Sequence, residues 1–198
     1  GRKYSNYWDE EHGYDFCNNS DKMQEFYYDH RVTFLYYMER IRELGPKVVG
    51  CSCFGASIEL TKIFLEDLRN FFPHYKHLLG GPEVAGFMGN ADQLLSKDYI
   101  DAICLDEGEG AIIGYLKELE KNEGSSLPGI VYKRNDSIIR NASNSNIKDL
   151  DQLPFPDFSD FNLKYYRDSR TLPSYSSRNC INKCVYCSAR GFMKPFRF

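Results

Sequence analysis

The 198-residue chain lacks the apolar run of about 20 residues that a membrane-spanning helix requires, so the sequence predicts no membrane segment. It also lacks a large excess of either charge, and a formal net charge of −3 gives no electrostatic reason to expect a nucleic-acid partner. No secretory signal is visible, and the seven cysteines form no secreted disulfide framework. We therefore expect a cytoplasmic protein with reduced thiols that binds neither membranes nor nucleic acid.

Three of the seven cysteines lie close together in the sequence. Cys180, Cys184 and Cys187 have the spacing C-x3-C-x2-C, and Tyr186 precedes the last of them. Three thiolates on one short loop can hold three irons of a [4Fe-4S] cluster, which leaves the fourth iron open to a substrate or cofactor. The spacing therefore predicts an iron–sulfur cluster with one open coordination site.

A zinc site, or three unrelated thiols, is the alternative interpretation of this loop. Structural zinc needs a closed set of four ligands, and no cysteine or histidine follows Cys187. A fourth ligand would have to come from another part of the fold, and the candidates are His12, His30, His74, His77, Cys17, Cys51, Cys53 and Cys104.

Helices and strands alternate in the predicted secondary structure. Apolar residues at helical spacing predict a helix over 22–44 that ends at Gly45, and later helices whose core residues include Leu68 and Leu116. This alternation predicts an α/β fold with a doubly wound parallel sheet and helices on both faces. The predicted strands are residues 47–52, 76–79 and 99–105, followed by a hairpin of 129–133 and 137–140.

The segments that follow the three parallel strands are rich in glycine, serine or acidic residues. They are residues 51–57, 80–83 and 106–110. Each segment alone is explained by a tight turn or a helix cap. Because the carboxyl ends of parallel strands meet at one edge of a sheet, the three together predict a ligand site there.

The chain divides into three parts by composition and pattern. Residues 1–140 are predicted to form the α/β domain, and residues 141–170 a linker whose two prolines, Pro154 and Pro156, favour an extended path. Residues 171–198 begin with a predicted strand, 171–177, that leads into the cysteine loop.

The cysteine loop resembles that of the radical S-adenosylmethionine (SAM) enzymes. The wider order of "GGPE" turn (80–83), "DEGEG" turn (106–110), hairpin, "LPFPDF" linker (153–158) and cysteine loop resembles the cobalamin-binding class of that family. The resemblance implies a chain that contains most of a cobalamin-binding domain and the truncated start of a radical SAM (β/α) barrel. Such a part alone is expected to be inactive.

The resemblance also implies a function for the parent enzyme. The parent would cleave SAM reductively at the [4Fe-4S] cluster to make a 5'-deoxyadenosyl radical, used with cobalamin for methyl transfer or for cyclisation or rearrangement of an unknown small molecule. A protein such as flavodoxin or ferredoxin would donate the electron that reduces the cluster.

By the same resemblance, Cys180, Cys184 and Cys187 would bind the cluster, and the backbone at Tyr186 would lie near SAM. The implied cobalamin-binding residues are Ser52, Phe54, Ser57, Gly80, Gly81, Glu107 and Gly108.

One departure from the related methyltransferases concerns the cobalt ligand. The Asp-x-His-x-x-Gly motif is absent, and neither His12 nor His30 fits it, so we expect no histidine ligand to cobalt from this chain. The alternative function is a non-catalytic, doubly wound ligand-binding module with a vestigial or zinc-holding cysteine loop.

Overall fold

The computed structural model describes residues 12–85, 91–121, 127–134, 137–140, 147–165, 170–172, 174–182, 184–187 and 196–198. The chain separates into two units, Gly1–Ser145 and Asn146–Phe198, which are described in turn. No helix in the described segments is long and apolar enough to cross a bilayer.

The first unit contains a five-stranded sheet. Its strands are β1 (Val48–Ser52), β2 (Lys76–Gly80), β3 (Ala102–Cys104), β4 (Ile130–Arg134) and β5 (Ser137–Arg140). They lie in the order β1-β2-β3-β4-β5. The first three are parallel, whereas β4 is antiparallel to both β3 and β5. The α/β class, the three parallel strands and the hairpin are confirmed, and the sheet is mixed because the hairpin joins its edge.

The described helices of the first unit pack on both faces of this sheet. They are α1 (Gly13–Cys17), α2 (Ser20–Asp29), α3 (Arg31–Leu44), α4 (Ile58–Phe71), α5 (Pro82–Ala85), α6 (Ala91–Leu95) and α7 (Gly108–Lys121). On one face, Leu79 and Ile103 pack with residues of α4 and α6. On the other face, Leu78 and Ala102 pack against α7. Because successive side chains of a strand point to opposite faces of the sheet, the same strands contribute apolar residues to both cores.

The single helix predicted over 22–44 is two helices, so that prediction is wrong in one respect. The chain breaks at His30, whose backbone N–H and ring Nδ1 both lie within hydrogen-bond distance of the Phe26 carbonyl. Helix α2 begins at Ser20, two residues earlier than expected, since the Asn19 side chain accepts a hydrogen bond from the Lys22 N–H. Gly45 ends the second helix in the left-handed conformation, as predicted.

Burial in α4 and α7 tests two core predictions with opposite results. Leu68 is fully buried, as expected, but Leu116 is 41% exposed. Helix α7 instead directs Ala111 and Tyr115 onto the sheet, and both are buried. Leu116 follows Tyr115 by one residue, so its side chain lies further round the helix, at the border of the face that packs on the sheet.

In the described residues of the second unit, regular structure is limited to 3₁₀ turns at Leu150–Gln152 and Leu163–Tyr165. Asp149 caps the first turn by accepting from the Asp151 N–H. The predicted strand 171–177 is not formed in its described residues, and the pairing that the described residues show nearby is an isolated bridge between Arg178 and Arg197. A strand needs a neighbour along its length, and none lies beside 171–177 in the described segments.

Candidate functional site

The carboxyl ends of β1, β2 and β3 enclose a cavity of about 430 Å³. Of the seven residues predicted to bind cobalamin, Ser52, Gly80, Gly81 and Gly108 line this cavity. The complete set of lining residues is Gly50, Cys51, Ser52, Leu78, Gly80, Gly81, Cys104, Asp106, Gly108 and Ile112. The three loops predicted to form one edge thus supply one cavity.

Gly81 holds the ends of β1 and β2 together. Its φ is +94°, and a Cβ there would lie 2.5 Å from the Cys53 carbonyl oxygen and 2.6 Å from the Cys53 nitrogen. The Cys53 N–H donates to the Gly80 carbonyl at 2.7 Å, just beside this contact. Only glycine combines a positive φ with so close an approach of two backbones, so Gly81 is required by the fold.

Gly80 is different, because the fold itself has room for a side chain there. A Cβ at Gly80 would meet its nearest neighbour, the Cys104 Cβ, at 3.5 Å, an ordinary van der Waals contact. The absence of a side chain at Gly80 leaves space in the cavity. This cradle, which a Cβ would fill, fits a bulky ligand lying against the backbone of β2.

The other predicted residues of this group do not line the cavity. Ser57 accepts a hydrogen bond from the Phe54 N–H at 3.0 Å and lies 3.1 Å from the Phe54 carbonyl. It therefore holds the 3₁₀ turn Gly55–Ser57 that precedes α4. The Phe54 side chain is 59% exposed, and Glu107 lies between two residues that do line the cavity.

Sequence reasoning missed four lining residues that lie outside the predicted loops. Gly50, Leu78 and Cys104 lie on the strands, two residues or one register step from Ser52 and Gly80, and Ile112 lies on α7. The period-two alternation of a strand was the signal that could have found the first three. Cys51 and Asp106 were within the predicted segments but were not named as cobalamin-binding residues.

Two thiols at this edge, those of Cys51 and Cys53, are held in the neutral form. Burial raises the pKa of the Cys53 thiol to about 11, and burial also raises the pKa of the Cys51 thiol. Both side chains therefore behave as small apolar groups at neutral pH rather than as nucleophiles or metal ligands.

The cysteine loop of the second unit is partly exposed. Cys180 is exposed, while Cys184 and Cys187 are half-buried, and Tyr186 is 88% exposed. The Cys187 N–H donates to the Cys184 carbonyl at 3.2 Å, which forms a turn between these two cysteines. The Asn182 N–H lies 3.4 Å from the Cys180 sulfur, and Asn179 before it has a positive φ of 65°.

The structure does not bring the three cysteine sulfurs into one site. Among the described residues, no group of three cysteine, histidine, aspartate or glutamate side chains is arranged to hold a metal. The donor set nevertheless fits an iron–sulfur cluster, because it is made of thiols alone and the Asn182 N–H lies 3.4 Å from the Cys180 sulfur, the kind of hydrogen bond that tunes cluster thiolates.

Comparison with curated proteins gives relatives that share one name. Over 168 residues, covering 80% of this chain, it is 27% identical to the anaerobic magnesium-protoporphyrin IX monomethyl ester cyclase of Cereibacter sphaeroides and 24% identical to that of Rubrivivax gelatinosus. Over 111 residues, covering 54% of the chain, it is 30% identical to the cyclase of Synechocystis sp..

These matches cover 27%, 30% and 22% of the respective relatives, so the chain corresponds to less than a third of their length. No protein-family profile matches the chain. The relatives are enzymes, and at this low identity they support the family resemblance that the sequence motifs suggest.

Proposed function

We propose that this chain is part of a radical SAM enzyme related to the anaerobic cyclases, and that its parent carries out a radical cyclisation or a related reaction. The observation that carries the proposal is the C-x3-C-x2-C loop, Cys180 to Cys187, in a chain similar to these enzymes. The non-catalytic and zinc-holding alternatives explain neither the three-thiol spacing nor the enzyme relatives.

The proposed role of the second unit is to bind a [4Fe-4S] cluster through Cys180, Cys184 and Cys187. Bound there, the cluster would supply the electron that cleaves SAM, and a reduced flavodoxin or ferredoxin would be its electron donor. The exposed backbone around Tyr186 would contact SAM. The Asn182 N–H at the Cys180 sulfur supports this role, since such hydrogen bonds stabilise the thiolate form.

The cluster proposal is tested by anaerobic reconstitution of the complete polypeptide with iron and sulfide. We expect broad absorbance near roughly 400 nm, typical of iron–sulfur charge transfer. Cys184→Ala should lose the absorbance and most of the iron, whereas Cys17→Ala, a buried thiol of the first unit, should retain both. Full iron content in Cys184→Ala, or bound zinc in place of iron, would contradict the assignment.

The proposed role of the first unit is to bind cobalamin at the carboxyl edge of its sheet. The cavity supports this role because its floor carries glycine at 50 and 80 and the small residue Ser52, which let a large ligand approach the backbone. Cobalamin would supply the chemistry of a cobalt centre, while Ser52, Gly80, Gly81 and Gly108 would bind and orient it.

Titration of the complete polypeptide with hydroxocobalamin, followed by absorbance, tests this role. Gly80→Leu fills the cavity from β2 and should abolish binding with the cluster absorbance unchanged. His12→Ala should leave the cobalamin spectrum as in the wild type, because no histidine ligand is expected from this chain. Equal affinity of Gly80→Leu and wild type would remove the sheet edge from the site.

A further inference from the structure

A row of three small residues crosses the sheet beneath the cavity. Ser52 pairs with Gly80 in the β1–β2 ladder. The β2–β3 ladder pairs Leu79 with Ile103, and one further step places Cys104 beside Gly80. The 3.5 Å distance from a Cβ at Gly80 to the Cys104 Cβ agrees with this register. Because residues in register point to the same face, these three form one row on the face of the sheet against which α7 packs.

The Cys104 side chain has a fixed place in this row. It is only 3% exposed and packs in the cluster that contains Ala111 and Tyr115 of α7. Its sulfur lies 3.4 Å from the Asp106 carbonyl oxygen, which turns it toward the loop after β3. A side chain held in this way cannot move aside for a ligand, so its volume limits the depth of the cavity.

The spacing of the row defines the shape that fits. Ser52 and Cys104 are separated by two strand spacings of about 4.8 Å each, with no side chain between them. A flat ring system can therefore lie on the bare backbone of Gly80 between a hydroxyl and a thiol.

We propose that Cys104 is a specificity-determining residue of this cavity, whose small size permits a flat ring of the ligand to be seated over Gly80. The role is steric, and it requires neither metal binding nor reaction at the thiol. The inference rests on the proposed function, since it takes cobalamin as the ligand. It adds to that function a residue which neither the resemblance nor the sequence pattern assigned.

The test compares three substitutions in the complete polypeptide by absorbance titration with hydroxocobalamin. Cys104→Ser keeps the volume and should bind within about twofold of wild type. Cys104→Leu enlarges the side chain and should weaken binding at least about tenfold, the usual effect of excess bulk in a fitted pocket. The matched control is Cys17→Leu, the same change at a buried thiol outside the cavity, which should bind as wild type does.

A second variant keeps the test decisive if Cys104→Leu does not fold, as judged by circular dichroism. Gly80→Ala adds a methyl group to the same space at an ordinary contact distance and should show the same direction of loss. If Cys104→Leu and Gly80→Ala bind hydroxocobalamin as tightly as the wild type does, the role of Cys104 is overturned while the cobalamin assignment stands. Failure of the wild type to bind hydroxocobalamin would overturn the cobalamin assignment, and this inference with it.

Discussion

The two ends of strand β2 differ in what occupies the space beside the backbone. At its amino end, His77 is fully buried and Asp101, which precedes β3, is buried beside it among charged groups. At its carboxyl end, Gly80 and Gly81 carry no side chain and line a cavity. The protein fills the amino end with its own polar groups and leaves a cavity at the carboxyl end, so the groups that stabilise the fold and the proposed binding site lie at opposite ends of one strand.

The amino end is organised around the Asp101 carboxylate. It accepts a hydrogen bond from the His77 N–H at 2.8 Å and forms ion pairs with Lys76, at 2.9 Å, and with Arg69. Burial alone would raise the pKa of Asp101, but the His77 N–H and the two cations outweigh burial and hold that pKa below its ordinary value. The carboxylate therefore stays ionised and joins α4, β2 and β3.

His77 is the titratable group of this end. Its ring Nδ1 lies 2.7 Å from the Tyr99 carbonyl oxygen, so Nδ1 carries the proton, and Nε2 has no hydrogen-bond partner among the described residues. Burial lowers the pKa of His77, against the opposing effect of the Tyr99 carbonyl. A neutral ring is thus required beside Arg69 and Lys76.

The largest expected effect tests whether the amino end stabilises the fold. Asp101→Asn leaves Arg69 and Lys76 without their buried counter-charge and should lower the free energy of unfolding by about 3 kcal/mol. Urea unfolding at pH 7 measures this loss. Asp98→Asn, three residues earlier at an exposed position, is the matched control and should change it by less than about 0.5 kcal/mol. Equal losses in the two variants would contradict the distinct role of Asp101.

A smaller effect separates the two glycines at the carboxyl end. Gly81→Ala forces a Cβ against the Cys53 backbone at positive φ and should lower the free energy of unfolding by about 2 kcal/mol or more. Gly80→Ala meets only an ordinary contact and should change it by less than about 1 kcal/mol. Thermal and urea unfolding of the pair give the comparison. A greater loss for Gly80→Ala would reverse our assignment of Gly81 to the fold and Gly80 to the cavity.

The smallest effect depends on pH and concerns His77. Because its folded pKa lies below the ordinary value of 6.5, the unfolded chain binds an extra proton as pH falls below 6.5. Stability should therefore be constant above that pH and fall below it by up to about 1.4 kcal/mol per pH unit, until His77 protonates in the folded state. Asp101, which lies beside His77, stays ionised over most of this window because its pKa is lowered.

Urea midpoints measured between pH 4.5 and 7.5 test this pH dependence. His77→Gln should flatten the profile, since its amide can donate to the Tyr99 carbonyl but does not titrate. His74→Gln, at an exposed position in the turn before β2, should keep the wild-type slope. A slope that persists in His77→Gln would place the responsible group elsewhere.

Local signals predicted much of the sheet. The strands β1, β2 and β3 coincide with short apolar runs, each followed by a segment rich in glycine, serine or acidic residues, and the hairpin has apolar residues on either side of a turn sequence. These features depend on neighbours in the chain, so one sequence is enough to find them. The break at His30 escaped prediction because apolar periodicity continues through it.

The other features that the sequence did not predict depend on contacts between segments that are distant in the chain. Two apolar stripes run side by side on α7, and the fit of Tyr115 against β4 decides that Leu116 lies at the border. The predicted strand at 171–177 has no partner strand in the part of the chain that the structure describes. Cys104 lines the cavity because the register of the three strands places it beside Gly80, which the sequence alone does not show.

The close approach at Gly81 also constrains how this gene can change. A single-base substitution in a glycine codon yields Ala, Val, Ser, Cys, Asp, Glu, Arg or Trp, and each adds the Cβ that the Cys53 backbone excludes. Substitutions at position 81 are therefore expected to be selected against through stability, whereas at position 80, where the fold has room for a Cβ, only the proposed ligand would keep a glycine. In relatives that have lost the proposed ligand, we expect larger residues at position 80, whereas position 81 should remain glycine.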